Sequence, residues 1–184
     1  FKGLQKGFYV DIGCNHPVYN NNTFLFYKRG WRGLNIDLDK SSIDLFNIFR
    51  KGDLNIHAAL SSSNNTQKVY EFHKKSPLNT LVKKVANYQK AEVKNIYEIN
   101  TITLNEIINN KGLHNNKINF LTIDVEGHEV EVLKGLNIDI YRPDVIVVEY
   151  LDLNLDKLEI KNLNINNVLN SEIYQYMVSK NYSL

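Results

Sequence analysis

Four acidic residues, Asp11, Asp37, Asp124 and Glu149, each stand at or near the end of an apolar, β-rich run. In an open parallel α/β sheet the carboxyl ends of the strands converge on one crevice, and ligands bind there. Carboxylates in that position can do two kinds of chemistry. One accepts hydrogen bonds from a pair of ribose hydroxyls, and another orients or deprotonates a reacting hydroxyl. A single acid at a strand end is ordinarily a turn former. Four on separate strands, pointing the same way, are not explained by solvation.

The turn after the first acid limits the ligand. It reads Gly13-Cys14-Asn15-His16-Pro17, with one glycine and a proline that removes an amide. A dinucleotide site wants G-x-G-x-x-G, whose glycines let helix amides approach a pyrophosphate. Neither that pattern nor the Gly-Lys-Ser/Thr ending of a P-loop is present. The loop is poorly built for phosphate and suits a ligand made of adenine, ribose and an amino-acid tail. S-adenosylmethionine is such a ligand.

The elements that must position these residues follow from periodicity and punctuation. Phe8–Ile12 and Leu34–Leu38 read as strands, separated by a helix-like segment that Asn22 or Thr23 caps and Gly30 stops. Ser41 or Ser42 is expected to cap a helix over Ile43–Phe49. Asn55–Leu60 reads as one strand, and the alternating Lys68–Phe72 as an antiparallel one. Residues 74–97 are charged and suggest a mobile helix or a lid. Thr101–Leu104 is extended and leads into a helix over Asn105–Asn110. Ile118–Val125 and Pro143–Tyr150 read as strands buried on both faces. Helices are expected over His128–Leu136 and Ile173–Val178, whereas Asp152–Asn170 has no clear pattern. Strands alternating with helices predict an α/β fold with a mainly parallel sheet, in a single domain spanning 1–184.

Composition excludes several classes. The chain has 184 residues, 43% hydrophobic and 23% charged, with a net charge of +2. Its lysines are scattered, which argues against nucleic acid. One cysteine excludes an intrachain disulfide and a multi-cysteine zinc site. No apolar run is long enough to span a bilayer. No membrane association and a cytoplasmic setting are the expectations.

The chain resembles the FkbM-type methyltransferases, within the Rossmann-like S-adenosylmethionine-dependent enzymes. The resemblance rests on Phe8-Tyr-Val-Asp-Ile-Gly-Cys-Asn-His-Pro17, on Asn22 through Asp37, and on Thr101-Ile-Thr-Leu104. It continues through Ile123-Asp-Val-Glu-Gly-His-Glu129, Val132-Leu-Lys134, Arg142-Pro143 and Val148-Glu-Tyr150. It implies a class I methyltransferase sheet. The family's closing antiparallel strands would lie past Leu184, so that edge is expected to be missing or shortened. The resemblance also implies that Asp11, Gly13 and Asn15 form the first cofactor loop, with Asn22 and Thr23 near the methionine carboxylate. Asp37 would bind the ribose hydroxyls, Ala58–Leu60, centred on Ala59, would lie near the adenine, and Asp124 and Glu126 would face the sulfonium and the acceptor.

The expected activity is transfer of a methyl group from S-adenosylmethionine to a hydroxyl of a sugar, glycan or small metabolite. Asp124, Glu126 and His128 are the candidate catalytic residues, with Glu149 in support. His128 competes with a surface position in a helix's first turn, and Glu126 with a role capping that helix. His16, His57, Cys14 and Trp31 read as structural, and the Arg29/Arg32 pair as solvated. Asn79-Thr80 are candidates to reach the cofactor. Asp124, Glu126 and His128 have ligand chemistry for Mg²⁺, but no metal is assigned. Two alternatives stay open. A non-catalytic adenosine-binding module would bind the cofactor without turnover. A nicotinamide- or nucleotide-sugar-dependent enzyme would bind NAD and not S-adenosylhomocysteine.

Overall fold

The computed structural model describes residues 1, 3–89, 91–151 and 164–184. Its centre is a five-stranded parallel sheet of β1 (Phe8–Ile12), β2 (Arg32–Asp37), β3 (Leu54–His57), β7 (Phe120–Ile123) and β8 (Val145–Val148), in the order β3-β2-β1-β7-β8. The chain first builds outward from β1 to β3, then returns to build on the other side of β1. The strand order therefore reverses between β1 and β7, where a crevice opens at the carboxyl ends.

Register aligns those ends. Ile12 pairs with Ile36 and Ile123, and Ile123 with Val148. Asp37, Asp124 and Glu149 each follow that row directly, and Asp11 sits one residue before it.

The alternation within the strands encodes two different faces. Val10, Ile12, Leu34, Ile36, Leu121 and Ile123 point into one aliphatic core. That core also takes side chains from α4 (Leu104–Asn110), α5 (Glu129–Lys134) and α6 (Ile138–Tyr141), with α8 (Glu172–Ser179) packed against it. Each fully buried aliphatic side chain contributes about 1.5–3 kcal/mol. The other face carries Tyr9, Asp11, Asn35 and Thr122, all buried, under α1 (Phe24–Lys28) and α2 (Lys40–Phe49). Those polar groups must be satisfied internally, and that need shapes the site. Trp31 closes the far end, stacked on Phe26 at 4.7 Å.

A second sheet holds β4 (Ala59–Leu60), β5 (Thr66–Glu71) and β6 (Asn95–Ile102), in the order β4-β6-β5. The strand expected over Asn55–Leu60 is thus two strands. Its pairing with β2 ends at His57 opposite Asp37, Ala58 donates its amide to the Asp37 carbonyl, and β4 then pairs with β6. The antiparallel strand expected near Lys68–Phe72 is present as β5.

Two further expectations are corrected. Asp39, not Ser41 or Ser42, caps α2: its backbone is extended, and its carboxylate accepts from the Ser41 amide at 2.7 Å. β8 is not buried on both faces: Ile146 and Val148 are partly buried against the core, and Val145 and Val147 are exposed. Among the described residues no strand pairs with its outer edge. In the segment 74–97, buried positions at Ser76, Asn79, Thr80, Val85 and Ala86 alternate with exposed ones. Thr80 bridges Tyr70, Asn79 bonds Phe72 and His73, and α3 (Lys83–Tyr88) buries Val85 and Ala86. The remaining described helix, α7 (Ile165–Leu169), follows residues 152–163, so most of the unassigned Asp152–Asn170 stretch lies outside the described residues. Among the described residues no helix is long and apolar enough to cross a membrane.

Candidate active site

A cleft of about 160 Å³ opens at the aligned strand ends. One wall is the loop after β1. Gly13 there has φ +71°, and a β-carbon on it would stand 1.7 Å from the Asp124 carbonyl oxygen. Only glycine lets the β1 loop come this close to the end of β7. Behind the loop, Asp11 accepts from Asn21 at 3.0 Å and from the Thr23 hydroxyl at 2.6 Å. Burial pushes the Asp11 carboxyl up, and these two bonds oppose the shift. His16 stiffens the loop by accepting from the amides of Val18 and Tyr19 at 3.1 and 3.0 Å.

Asp37 stands beside that loop, at the end of β2. Its carboxylate accepts from the Asn15 amide at 2.8 Å and the Asp39 amide at 2.7 Å. A carboxylate has about four acceptor positions, so two remain for a ligand. Burial raises its pKa to about 6 against the pull of those two amides.

The opposite side is built from the turn after β7 and the end of β8. Asp124, Glu126 and Glu149 each bring a carboxylate oxygen within 4.8 Å of the others. Glu126 adopts left-handed backbone, φ 55°, which a non-glycine residue holds only when its surroundings enforce it. The enforcing contacts are visible. Thr80 donates its hydroxyl to the Glu126 carbonyl at 2.7 Å, and Glu129 accepts from the Val125 and Gly127 amides, both at 3.0 Å. Gly127 follows at φ +93°, where a β-carbon would stand 2.5 Å from Val85 of α3. Glu126 therefore faces the cleft instead of capping α5.

Crowding three acids has an electrostatic consequence. Burial, then the charges of Asp124 and Glu129, raises Glu126 to about 7. Burial, then Asp124, Glu126 and Glu129, raises Glu149 to about 9. Near neutrality Glu149 is protonated and hydrogen-bonds Asp124, while its Oε2 is buried without a partner. Such a set can share a proton or accept a cation.

His128 borders the cleft but joins the acids in no cluster. Its Nε2 lies 3.1 Å from the Ser61 hydroxyl, which also accepts from Gln67 at 3.0 Å. Burial lowers its pKa and favours the neutral ring. Glu149, not His128, stands beside Asp124 and Glu126.

The structure brings together Asp11, Gly13, Asn15, Asn22, Asp37 and Ala59 on one side of the cleft, and Asp124, Glu126, His128 and Glu149 on the other. Thr23 is the exception. It is fully buried, with its hydroxyl between Asp11 and Arg50, and it does not line the cleft. Asn22 instead donates to the Thr122 hydroxyl at 3.0 Å. Cys14 is buried against Ile43 and Phe46, and burial pushes its thiol up. Asn79 lines the cleft, whereas Thr80 acts through Glu126. Arg50, Asp53 and Glu129 have structural roles at the site that nothing local marks. A charged residue beside an amphipathic helix ordinarily reads as solvated.

The chain matches the methyltransferase FkbM domain over residues 11–184. No curated protein and no solved structure matches it. With that match covering nearly all of its length, and an α/β sheet whose cleft lies at the strand-order reversal, the chain belongs to the FkbM methyltransferase domain family.

Proposed function

We propose that this protein is an S-adenosylmethionine-dependent O-methyltransferase acting on a hydroxyl of a sugar, glycan or small metabolite. The observation that carries this is the division of the cleft: a half-satisfied acid, Asp37, at the end of β2, and a proton-sharing acid cluster at the ends of β7 and β8. The residues present fit the donor. Gly13 brings the β1 loop against the end of β7 at the floor of the cleft, and Asp37 keeps two acceptor positions for ribose hydroxyls. The acids opposite favour a cationic centre, and Pro17 and the single glycine offer little to a pyrophosphate.

When bound, S-adenosylmethionine supplies a methyl group activated by its positive sulfur. The chain's own residues do the rest. Asn15, Asn22 and Asp11 shape the donor loop, Asp37 holds the ribose, and Ala59 borders the adenine. Asp124 orients the acceptor hydroxyl and takes its proton. Glu126, near 7, buffers that proton at physiological pH, and Glu149 donates to Asp124 and keeps it ionised. His128, tied to Ser61, borders the cleft on the same side as these acids. Most of the rate advantage would come from holding two reactants in one cleft.

Calorimetry with S-adenosylhomocysteine tests the donor, and release of S-adenosylhomocysteine from S-adenosylmethionine over a panel of hydroxylated acceptors tests the reaction. Tight NAD binding with no S-adenosylhomocysteine binding would overturn the proposal.

A further inference from the structure

Among the described residues Arg50 is the largest fully buried side chain, at 0% exposure. A guanidinium out of water is costly unless it is paired and its hydrogen bonds are met. Here every direction is used. Nε and Nη2 donate to the Pro17 carbonyl at 2.9 and 2.7 Å, Nη2 also donates to Asn21 Oδ1, and Nη1 donates to Thr23 Oγ1 at 2.7 Å. A longer bond of 3.4 Å reaches the Tyr9 hydroxyl. Phe46, Phe24 and Tyr27 surround the group, their ring centres 4.9, 5.6 and 5.4 Å away.

The charge meets its counterions through hydroxyls. Thr23 passes the contact to Asp11, and Tyr9 passes it to Asp53, which also accepts from the Gly33 amide and from Asn35. Arg50 itself stands just past α2, which packs on β2 and β3. Its three nearest partners, Pro17, Asn21 and Thr23, all lie in the loop between β1 and α1, whose Asn20–Asn22 line the cleft. One side chain therefore ties that loop to a different βα unit.

We propose that Arg50 is a positioning residue that sets the shape of the β1–α1 loop, and through Asn21 and Thr23 the orientation of Asp11, before any ligand arrives. Its effect on donor affinity rests on the donor assignment above; its effect on the loop does not. A lysine cannot replace it, because an ammonium has no planar fork to hold Pro17, Asn21 and Thr23 together. With loop order set in advance, donor binding does not have to supply it.

The test compares R50K and R50M with the unmodified chain by hydrogen exchange without ligand, by S-adenosylhomocysteine calorimetry, and by turnover. Both variants should raise amide exchange across 14–23 more than tenfold over the change in β7. They should weaken S-adenosylhomocysteine by roughly 10- to 30-fold, with kcat at saturating donor within about threefold. Ethylguanidinium added to R50A should restore part of the affinity. If R50M does not fold, R50K, which keeps the charge and the aliphatic stem, decides. Unchanged loop exchange and unchanged affinity in folded R50K would overturn the proposal, as would a uniform rise in exchange with no excess in the loop. Absence of S-adenosylhomocysteine binding by the unmodified chain would sink the donor assignment alone, and loop exchange would still decide Arg50.

Discussion

Glu149→Gln isolates the electrostatics of the acid cluster. Glutamine matches the protonated glutamate in shape and can still donate to Asp124, but it has no proton to lose. The folded-state pKa of Glu149 is raised to about 9 from 4.5. Below about pH 4.5 both folded and unfolded chains hold the proton, and no penalty exists. Between about 4.5 and 9 the folded chain keeps a proton that the unfolded chain releases, so stability falls as pH rises. At pH 8 the full linkage is about 1.4 kcal/mol for each of 3.5 units, or about 5 kcal/mol. Glu149 is only half-buried and the cleft admits water, so screening cuts this to about 2 kcal/mol. Glu149→Gln should therefore raise Tm by about 4–8 °C at pH 8 for a chain of this size and by under 1 °C at pH 5. Scanning calorimetry at the two pH values measures both. Equal shifts at pH 5 and pH 8, or a destabilised variant at pH 8, would refute the shared-proton description.

Asp37→Ala should weaken S-adenosylhomocysteine roughly tenfold or more by calorimetry, since it removes a charge-assisted acceptor and frees the Asn15 amide. Asp124→Asn should reduce kcat by roughly 100-fold or more while changing donor affinity less than threefold, and equal effects on both would count against the division of roles. Gly13→Ala places a β-carbon 1.7 Å from the Asp124 carbonyl at positive φ, and should cost about 3 kcal/mol or more in denaturant unfolding. Thr80→Val removes the bond that holds Glu126 and leaves the Val82 amide unpaired. It should destabilise the chain by about 1–3 kcal/mol and lower kcat at pH 7 more than it raises donor KM.

The best-read parts of the chain were those whose information is local. β1, β2 and β7 are short apolar runs ending in acids or glycine, and their observed bounds fall within about two residues of expectation. Asp37, Asp124 and Glu149 fall in one row because parallel register aligns Ile12, Ile36, Ile123 and Val148. Other features depended on partners far along the chain. Asn55–Leu60 reads as continuous, yet Ala58 divides it because β6 lies some forty residues away. The burial of Thr80 had no local signal because the groups it meets, Tyr70 and Glu126, belong to other elements.

By itself the sequence determined that this is an α/β chain with acids at its strand ends and a first loop unsuited to phosphate. Those properties come from side-chain period and from which residues can turn or donate. Tertiary structure alone decided which groups meet. It set Glu149 rather than His128 beside Asp124, turned Thr23 inward to Asp11, and buried Arg50 against a loop more than twenty-five residues earlier in the chain. Proton sharing and charge burial depend on distances of a few ångströms between remote positions, and no local pattern encodes those distances.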